Sequence, residues 1–413
     1  MITAMILDST LILAIALAVT LFTSITVEAT EDIDMDVYHA NSLIEWLKSE
    51  NGFFNPKLEI RRVDPSDKTS HFGMFANEDI SDRSLLLRIP PSLVLDSAED
   101  DPELTPMVCP LVHNLIKQIE LYDDSQYAPY VKYLLDTQPP GQLPSAWTPA
   151  AKQLFVRMLG HIDFDLDEAL KDLPLNGGDL RTRNHLPPAD PISWIETEWT
   201  YCNDGLIGTP DDHYAALIVI QRAWDDILIP VYDMMSHRNG YWLNSASDDI
   251  GEHRGKEAIR VRASRDIKKG EQIYTSYNMC EDCGGRVYNY GTGDILRDYG
   301  FVEQFPQSWI FPSGPIGFRI DVSNPEDVEK GEEEKLYVTE WIEDELPDSD
   351  DYKLLNNLLI DVKVNKRMVD DSERSMYPDV LDHEWNTMKQ YMDAMEVALH
   401  VAIKWFEDME KSK

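Results

Sequence analysis

Apolar positions along this chain change their spacing several times, and each change predicts a different kind of element. Between Asp36 and Leu47, the residues Val37, Leu43, Ile44 and Leu47 can share one helical face, which predicts a short amphipathic helix. From Leu58 the texture turns to short runs, Leu58 to Val63, Gly73 to Ala76 and Leu85 to Pro90. Gly73 and the clusters Asn77-Glu78-Asp79 and Ser81-Asp82 punctuate them as turns between strands. From about Ala98 to Arg222 the spacing lengthens to four, in Leu111, Leu115 and Ile119 and again in Leu154, Met158 and Ile162, which predicts helices. Pro139-Pro140-Gly141, Asn176-Gly177-Gly178 and Pro187-Pro188 break that stretch, and Ala215 to Ile227 reads as one more buried helix.

Strand texture returns from Ile229 to about Phe311, with clean alternation in Ala258 to Ala263, and the remainder reads as helical. Met388, Tyr391, Met395, Leu399, Ala402, Phe406 and Met409 predict one long amphipathic helix. Such a Met-rich stripe serves core or partner packing, not a cofactor. Glu332-Glu333-Glu334 reads as a solvated linker. The order of strands, helices, strands and helices predicts an α+β protein whose sheet is assembled from two sequence-distant halves.

Composition adds a charge argument. With 37 Lys and Arg against 75 Asp and Glu, the 413-residue chain carries a formal charge of -38. That surface repels phosphate backbones, which disfavours direct nucleic-acid binding and favours basic, lysine-bearing protein partners. The run Leu11 to Ile25 is apolar, is followed by Val27-Glu28-Ala29, and at 1.5 Å per residue is too short to span a bilayer comfortably. Residues 1–29 therefore read as a signal peptide or signal anchor, the cleaved form being favoured. A stable membrane span is not expected after cleavage. Secretory-pathway entry follows, to a lumen or to a plastid by that route; the cytoplasm follows if translation starts beyond the run.

The four cysteines do not describe a disulfide framework. Cys280 and Cys283 form a C-x-x-C that suits a local disulfide or thiol pair better than a metal site, while Cys109 and Cys202 lie far apart in sequence. No metal is expected. Nucleotide and metalloprotease motifs also fail: Gly291-Thr292-Gly293 lacks the third glycine of G-x-G-x-x-G, Gly251 to Lys256 has the wrong spacing for a phosphate loop, and no H-E-x-x-H occurs.

Three ordered segments carry the chemistry: His71-Phe72-Gly73-Met74-Phe75-Ala76, then Pro230 to His237, then Arg265 to Tyr277 with Leu296 to Phe301 following. Together they resemble the SET-domain protein methyltransferases, in the branch of the Rubisco large-subunit and actin-histidine methyltransferases. Ser125 to Val131 and Gln221-Arg222-Ala223-Trp224 resemble elements of that branch's helical insert. The resemblance implies a knotted SET-type sheet in two halves, residues 30–97 with the first helix and 223–312. A helical insert at 98–222 would separate them, and a C-terminal helical domain at 313–413 would follow.

The resemblance further implies S-adenosyl-L-methionine as cofactor and transfer of its methyl group to a protein lysine. Cofactor contacts fall on Phe72, Gly73, Met74, Arg222, Ser236, His237 and Tyr277. Tyr277 is the catalytic residue, and Trp224, Trp242 and Tyr299 wall the substrate slot. Arginine suits the cofactor carboxylate because guanidinium and carboxylate pair in a bidentate fork. Trp224 stands where the histidine-modifying relative has Asn, which favours lysine. Two departures, His71 for a glycine and Ser236 for an asparagine, predict weakened cofactor binding. They also leave open a catalytically weak binding module. The oligomeric state is not legible.

Overall fold

The computed structural model describes residues 35–67, 70–96, 109–138, 140–160, 185–193, 202, 208–224, 226–247, 257–278, 290–312, 316–323, 335–342 and 347–412. The leader at 1–29, Cys280-Cys283, Ile162 and the Glu332–Glu334 linker lie outside them. Among the described residues no helix is long and apolar enough to cross a membrane.

Helix α1 (Met35–Ser49) buries Ala40, Leu43, Ile44 and Leu47, the face its spacing predicts. Strands β1 (Phe53–Phe54), β2 (Leu58–Arg62), β3 (Phe72–Ala76), β4 (Leu85–Ile89) and β5 (Leu95–Asp96) follow. Helices α2 (Cys109–Leu121), α3 (Ala128–Thr137), α4 (Pro149–Met158) and α5 (Pro210–Arg222) then precede β6 (Ile227–Leu228), β7 (Ser236–His237), β8 (Ser245–Ser247), β9 (Ile259–Ala263) and β10 (Tyr274–Thr275).

The two halves meet as expected. β4 lies between β1 and β9, and β9 pairs with β8, so one four-stranded sheet joins residues from before and after the helices. β2 and β3 form an antiparallel ribbon, and β5 pairs with β6. β10 runs parallel to β7, setting Tyr274 opposite Ser236 and Thr275 opposite His237.

Three expectations need correction. Helix α5 ends at Arg222, not Ile227. Ala223 turns extended, and Trp224 and Ile227 exchange both backbone hydrogen bonds in an antiparallel bridge. Beyond Phe311 the chain is not yet helical: β11 (Gln307–Phe311), β12 (Ile316–Val322) and β13 (Leu336–Trp341) form an antiparallel sheet. In β13 only Leu336, Val338 and Trp341 are half-buried, and the consecutive exposed pair Thr339 and Glu340 breaks the period of two, so the strand gave no clean alternation. Finally, Cys109 and Cys202 form a disulfide, because the fold brings positions 93 residues apart together. Both are almost fully buried in the first core.

Helices α6 (Thr292–Tyr299), α7 (Ser349–Lys366) and α8 (Asp382–Ser412) complete the chain. The long predicted stripe is correct: Met388, Tyr391, Met395, Leu399 and Ala402 of α8 are fully buried. The core is divided in two. One part gathers α1, the first sheet, α2, α3 and α5; the other gathers α8, α7, β11, β12 and α4. The helices between the sheet halves are thus shared between both cores.

Candidate active site

The site is built where β7, β10 and the end of α5 converge. Val231 precedes it with φ at 70°, a conformation sparsely populated by a β-branched residue. The tight turn that follows, Tyr232 to Met234, and its cap Met235 offer the site two carbonyls, those of Asp233 and Met235. Arg222, in the last turn of α5, donates from Nη1 to the Asp233 carbonyl at 2.5 Å. Tyr277, just beyond β10, donates its hydroxyl to the Met235 carbonyl at 2.7 Å.

Tyr277 has a second anchor. Its backbone N–H donates to His237 Nδ1 at 3.0 Å, and the two rings stack with centroids 5.0 Å apart. On another side lies Tyr299, at 4.5 Å between centroids, with Phe301 beyond it. Gly300 makes this possible. It caps α6 with φ at 79°, donates its N–H to the Leu296 carbonyl, and sits so close to the Gln142 carbonyl that a Cβ would come within 2.5 Å.

Charges are buried around this aromatic group. Burial pushes the Tyr277 phenol above its ordinary range, and the Arg222 charge only partly offsets that, so the hydroxyl keeps its proton and remains a donor at neutral pH. Burial likewise pushes the Asp233 carboxyl up to about 6, against the pull of Arg222 and the Tyr130 hydroxyl, which donates to Oδ2 at 2.7 Å. Partial burial, and then Arg222, hold the His71 imidazole below its usual range although the residue remains exposed. Arg222 therefore sits amid Tyr130, Tyr133, Asp233 and Tyr277. Its Nε is buried and has no hydrogen-bond partner, as is Oδ1 of Asp233.

The β3 segment lies against the same place. The Met74 carbonyl accepts from the Ile273 N–H, and Phe75 bridges to Gln272. Gly73 permits a close approach: a Cβ there would stand 2.5 Å from Gln272 Nε2. That amide donates to Ser236 Oγ at 2.7 Å, and Oε1 of the same side chain accepts from the Tyr274 hydroxyl at 2.9 Å. Phe72 is half-buried, its ring covered by Arg62.

Arg222, His237, Tyr277 and Tyr299 are thus gathered, with Gly73, Met74 and Ser236 joined to them through Gln272 and Ile273. Trp224 packs edge-on against Tyr232, and Trp242 lies under the Arg238 guanidinium at 3.7 Å and beside Tyr241. Two residues escaped the sequence reading. Gln272 sat unremarked inside a recognised motif, and Glu303, which accepts from His237 at 2.7 Å, lay just past one. Neither gives a periodic signal.

Strands from before and after a helical insert, paired with one another beside a tyrosine, set the class. Residues 71–278, half of the chain, match the family model described as SET domain, and the protein belongs to that family. It is 20% identical over 287 residues to the N-lysine methyltransferase setd6 of Xenopus tropicalis, an alignment covering 64% of this chain and 57% of that protein. The chain therefore spans little more than half the length of that curated relative. Solved structures that align with it include the SET domain of LSMT bound to lysine and AdoHcy, at 15% identity over 92% of each chain with a TM-score of 0.49. Rubisco LSMT bound to sinefungin and monomethyllysine aligns at 16% identity over 90% of this chain and 92% of that one, with a TM-score of 0.47.

Proposed function

We propose that this protein transfers a methyl group from S-adenosyl-L-methionine to a lysine side chain of another protein. The observation that carries the reading is the double anchoring of Tyr277, hydroxyl to Met235 and amide to His237, in an aromatic group with Tyr299. The SET family and the lysine-modifying relative support it.

The residues present fit the cofactor. The unpartnered Arg222 Nε is a donor available to a carboxylate, and the half-buried guanidinium carries the charge to match. Backbone of Phe72, Gly73, Met74, Ser236 and His237 would complete its binding. Once bound, the cofactor supplies an electrophilic methyl on sulfur. The protein's own work is to receive a neutral amine. A lysine with its ordinary pKa near 10.4 gives up its proton at a cost of about 4.6 kcal/mol at pH 7. An aromatic, partly buried surround disfavours the ammonium form and lowers that cost. The Tyr277 hydroxyl and the carbonyl it engages then orient the nitrogen.

Trp224 two positions after Arg222 supports lysine over histidine. The charge of -38 supports a basic substrate. For location, the apolar leader and the buried Cys109–Cys202 disulfide both support an oxidising, secretory compartment. Protease protection of the full chain inside isolated organelles, with the disulfide intact by non-reducing mass spectrometry, is the expected result. A reduced protein in the cytosol would refute that assignment.

The test of the activity is incubation of the purified chain with labelled cofactor and lysine-rich proteins, with mass spectrometry of the products. Methyl-lysine is expected, and methyl-histidine or no label would refute the reading. One observation favours a binding module instead: the Gln272 amide stands over Gly73 beside Ser236. If that amide excludes the cofactor, Gln272→Ala raises cofactor affinity in a calorimetric titration. The enzyme reading expects Gln272→Ala to leave affinity the same or lower it.

A further inference from the structure

Behind His237, on the Nε2 side of its ring, lies a buried carboxylate with no part in the proposed methyl transfer. The side chain of Glu303 is 1% exposed and that of His237 is 0% exposed. Oε1 of Glu303 is 2.7 Å from His237 Nε2, 3.1 Å from Asn239 Nδ2 and 3.3 Å from Asn278 Nδ2, and Oε2 accepts from the Thr292 hydroxyl at 2.6 Å. The backbone carbonyl of Glu303 accepts from Gln307 Nε2 at 2.6 Å, fixing the residue from the other side.

The geometry determines where the histidine proton sits. A backbone N–H can only donate, so His237 Nδ1, which receives the Tyr277 amide, carries a lone pair and no hydrogen. The ring proton is therefore on Nε2 and points at Glu303. An ionised carboxylate only accepts, so it holds this tautomer and no other. The same carboxylate reaches the neighbours of Tyr277. Asn278 bonds it directly, and the Ser276 hydroxyl donates to Asn239 Oδ1 at 2.7 Å while Asn239 bonds Glu303. Three consecutive residues, 276 to 278, lead back to one buried charge.

We propose that Glu303 is a positioning residue for methyl transfer, its carboxylate fixing the Nε2–H tautomer of His237 so that Nδ1 holds the Tyr277 amide and thereby places the Tyr277 hydroxyl. The proposal rests on the methyl-transfer reading for the reaction it serves, but the tether is a property of the fold and can be read without turnover. Glu303→Gln preserves size, removes the charge, and puts an NH2 in place of one of the two oxygens that accept here. Glu303→Asp keeps the charge but draws it back.

The full-length chain and both variants would be compared by long-range 1H–15N spectra of the imidazoles, with His237 assigned through His237→Gln. Label transfer to lysine-rich proteins at saturating cofactor and calorimetric cofactor affinity complete the set. The wild type should show His237 unprotonated at Nδ1 and protonated at Nε2. Glu303→Gln should lose that signature and transfer 10- to 100-fold more slowly, with cofactor affinity within threefold of wild type. Glu303→Asp should recover part of both. A folded Glu303→Gln with the wild-type tautomer or the wild-type rate overturns the proposal. If Glu303→Gln fails to fold, a Glu303→Asp indistinguishable from wild type in both readouts overturns it as well. A wild type that transfers no methyl group defeats the methyl-transfer reading, whereas loss of the tautomer in Glu303→Gln would still support the tether.

Discussion

Two clusters of buried polar atoms flank Tyr277, and the protein treats them in opposite ways. Both carboxylate oxygens of Glu303 are met by donors from its own chain: His237, Asn239, Asn278 and Thr292. Across the tyrosine, Arg222 Nε and Asp233 Oδ1 are buried without partners. A buried polar atom left unpaired costs about 1–3 kcal/mol, so a fold tolerates one most readily where something else will pair with it. The saturated side is scaffold, and the unsaturated side is where a ligand has bonds left to make.

The sharpest way to break this comparison is at the residue between the two sides. Tyr277→Phe removes the hydroxyl bonded to Met235 while keeping the ring against His237 and Tyr299. Transfer should fall about 10²- to 10⁴-fold, the range of a positioned catalytic hydroxyl, with cofactor affinity little changed. Equal loss of affinity in a titration would show that Tyr277 is a binding group.

A control away from both clusters is the disulfide. Replacing Cys109 and Cys202 with Ala should lower unfolding free energy in urea by about 2–4 kcal/mol, since the bridge closes a loop of 93 residues. The per-molecule transfer rate of the folded protein should be unchanged. A rate that fell with the bridge would mean the insert, not the two clusters, controls the site.

The unsaturated side also carries a pH signature. The Asp233 carboxyl lies near 6 when folded against an ordinary 3.8, so the folded state binds the proton more tightly than the unfolded state. The stability contributed by this group is therefore greatest below about 3.8 and declines as pH rises through 6, by up to about 3 kcal/mol. Asp233→Asn should abolish that slope in urea titrations between pH 4 and 7; an unaltered slope would place its origin elsewhere. The smallest effect is expected at Arg222. Arg222→Met should weaken cofactor binding by about ten- to a hundred-fold, equivalent to 1.5–3 kcal/mol for a lost charged hydrogen bond, and leave the His237 tautomer intact.

The residues of the site were legible to different degrees for physical reasons. Gly73, Arg222, His237 and Tyr277 stand in short motifs whose residue types are demanded by the chemistry, and the structure gathers them. Trp224 and Trp242 carry ring contacts of their own, with Tyr232 and with Arg238, which no spacing in the sequence signals. Glu303 looked like any of 75 acidic residues, since only burial distinguishes it.

What the chain alone determined is the local periodicity and the order of its blocks: the apolar faces of α1 and α8, the alternation of β9, and the sequence of strands, helices, strands. Those follow from the spacing of side chains along a helix or strand, which needs no partner to be read. Only the tertiary structure decided which distant positions meet. Burial of apolar surface is non-directional and does not name its partners. Hence Cys109 found Cys202, Gln272 found Ser236, α4 joined the C-terminal core, and Glu303 took hold of His237 only once the halves had closed on one another.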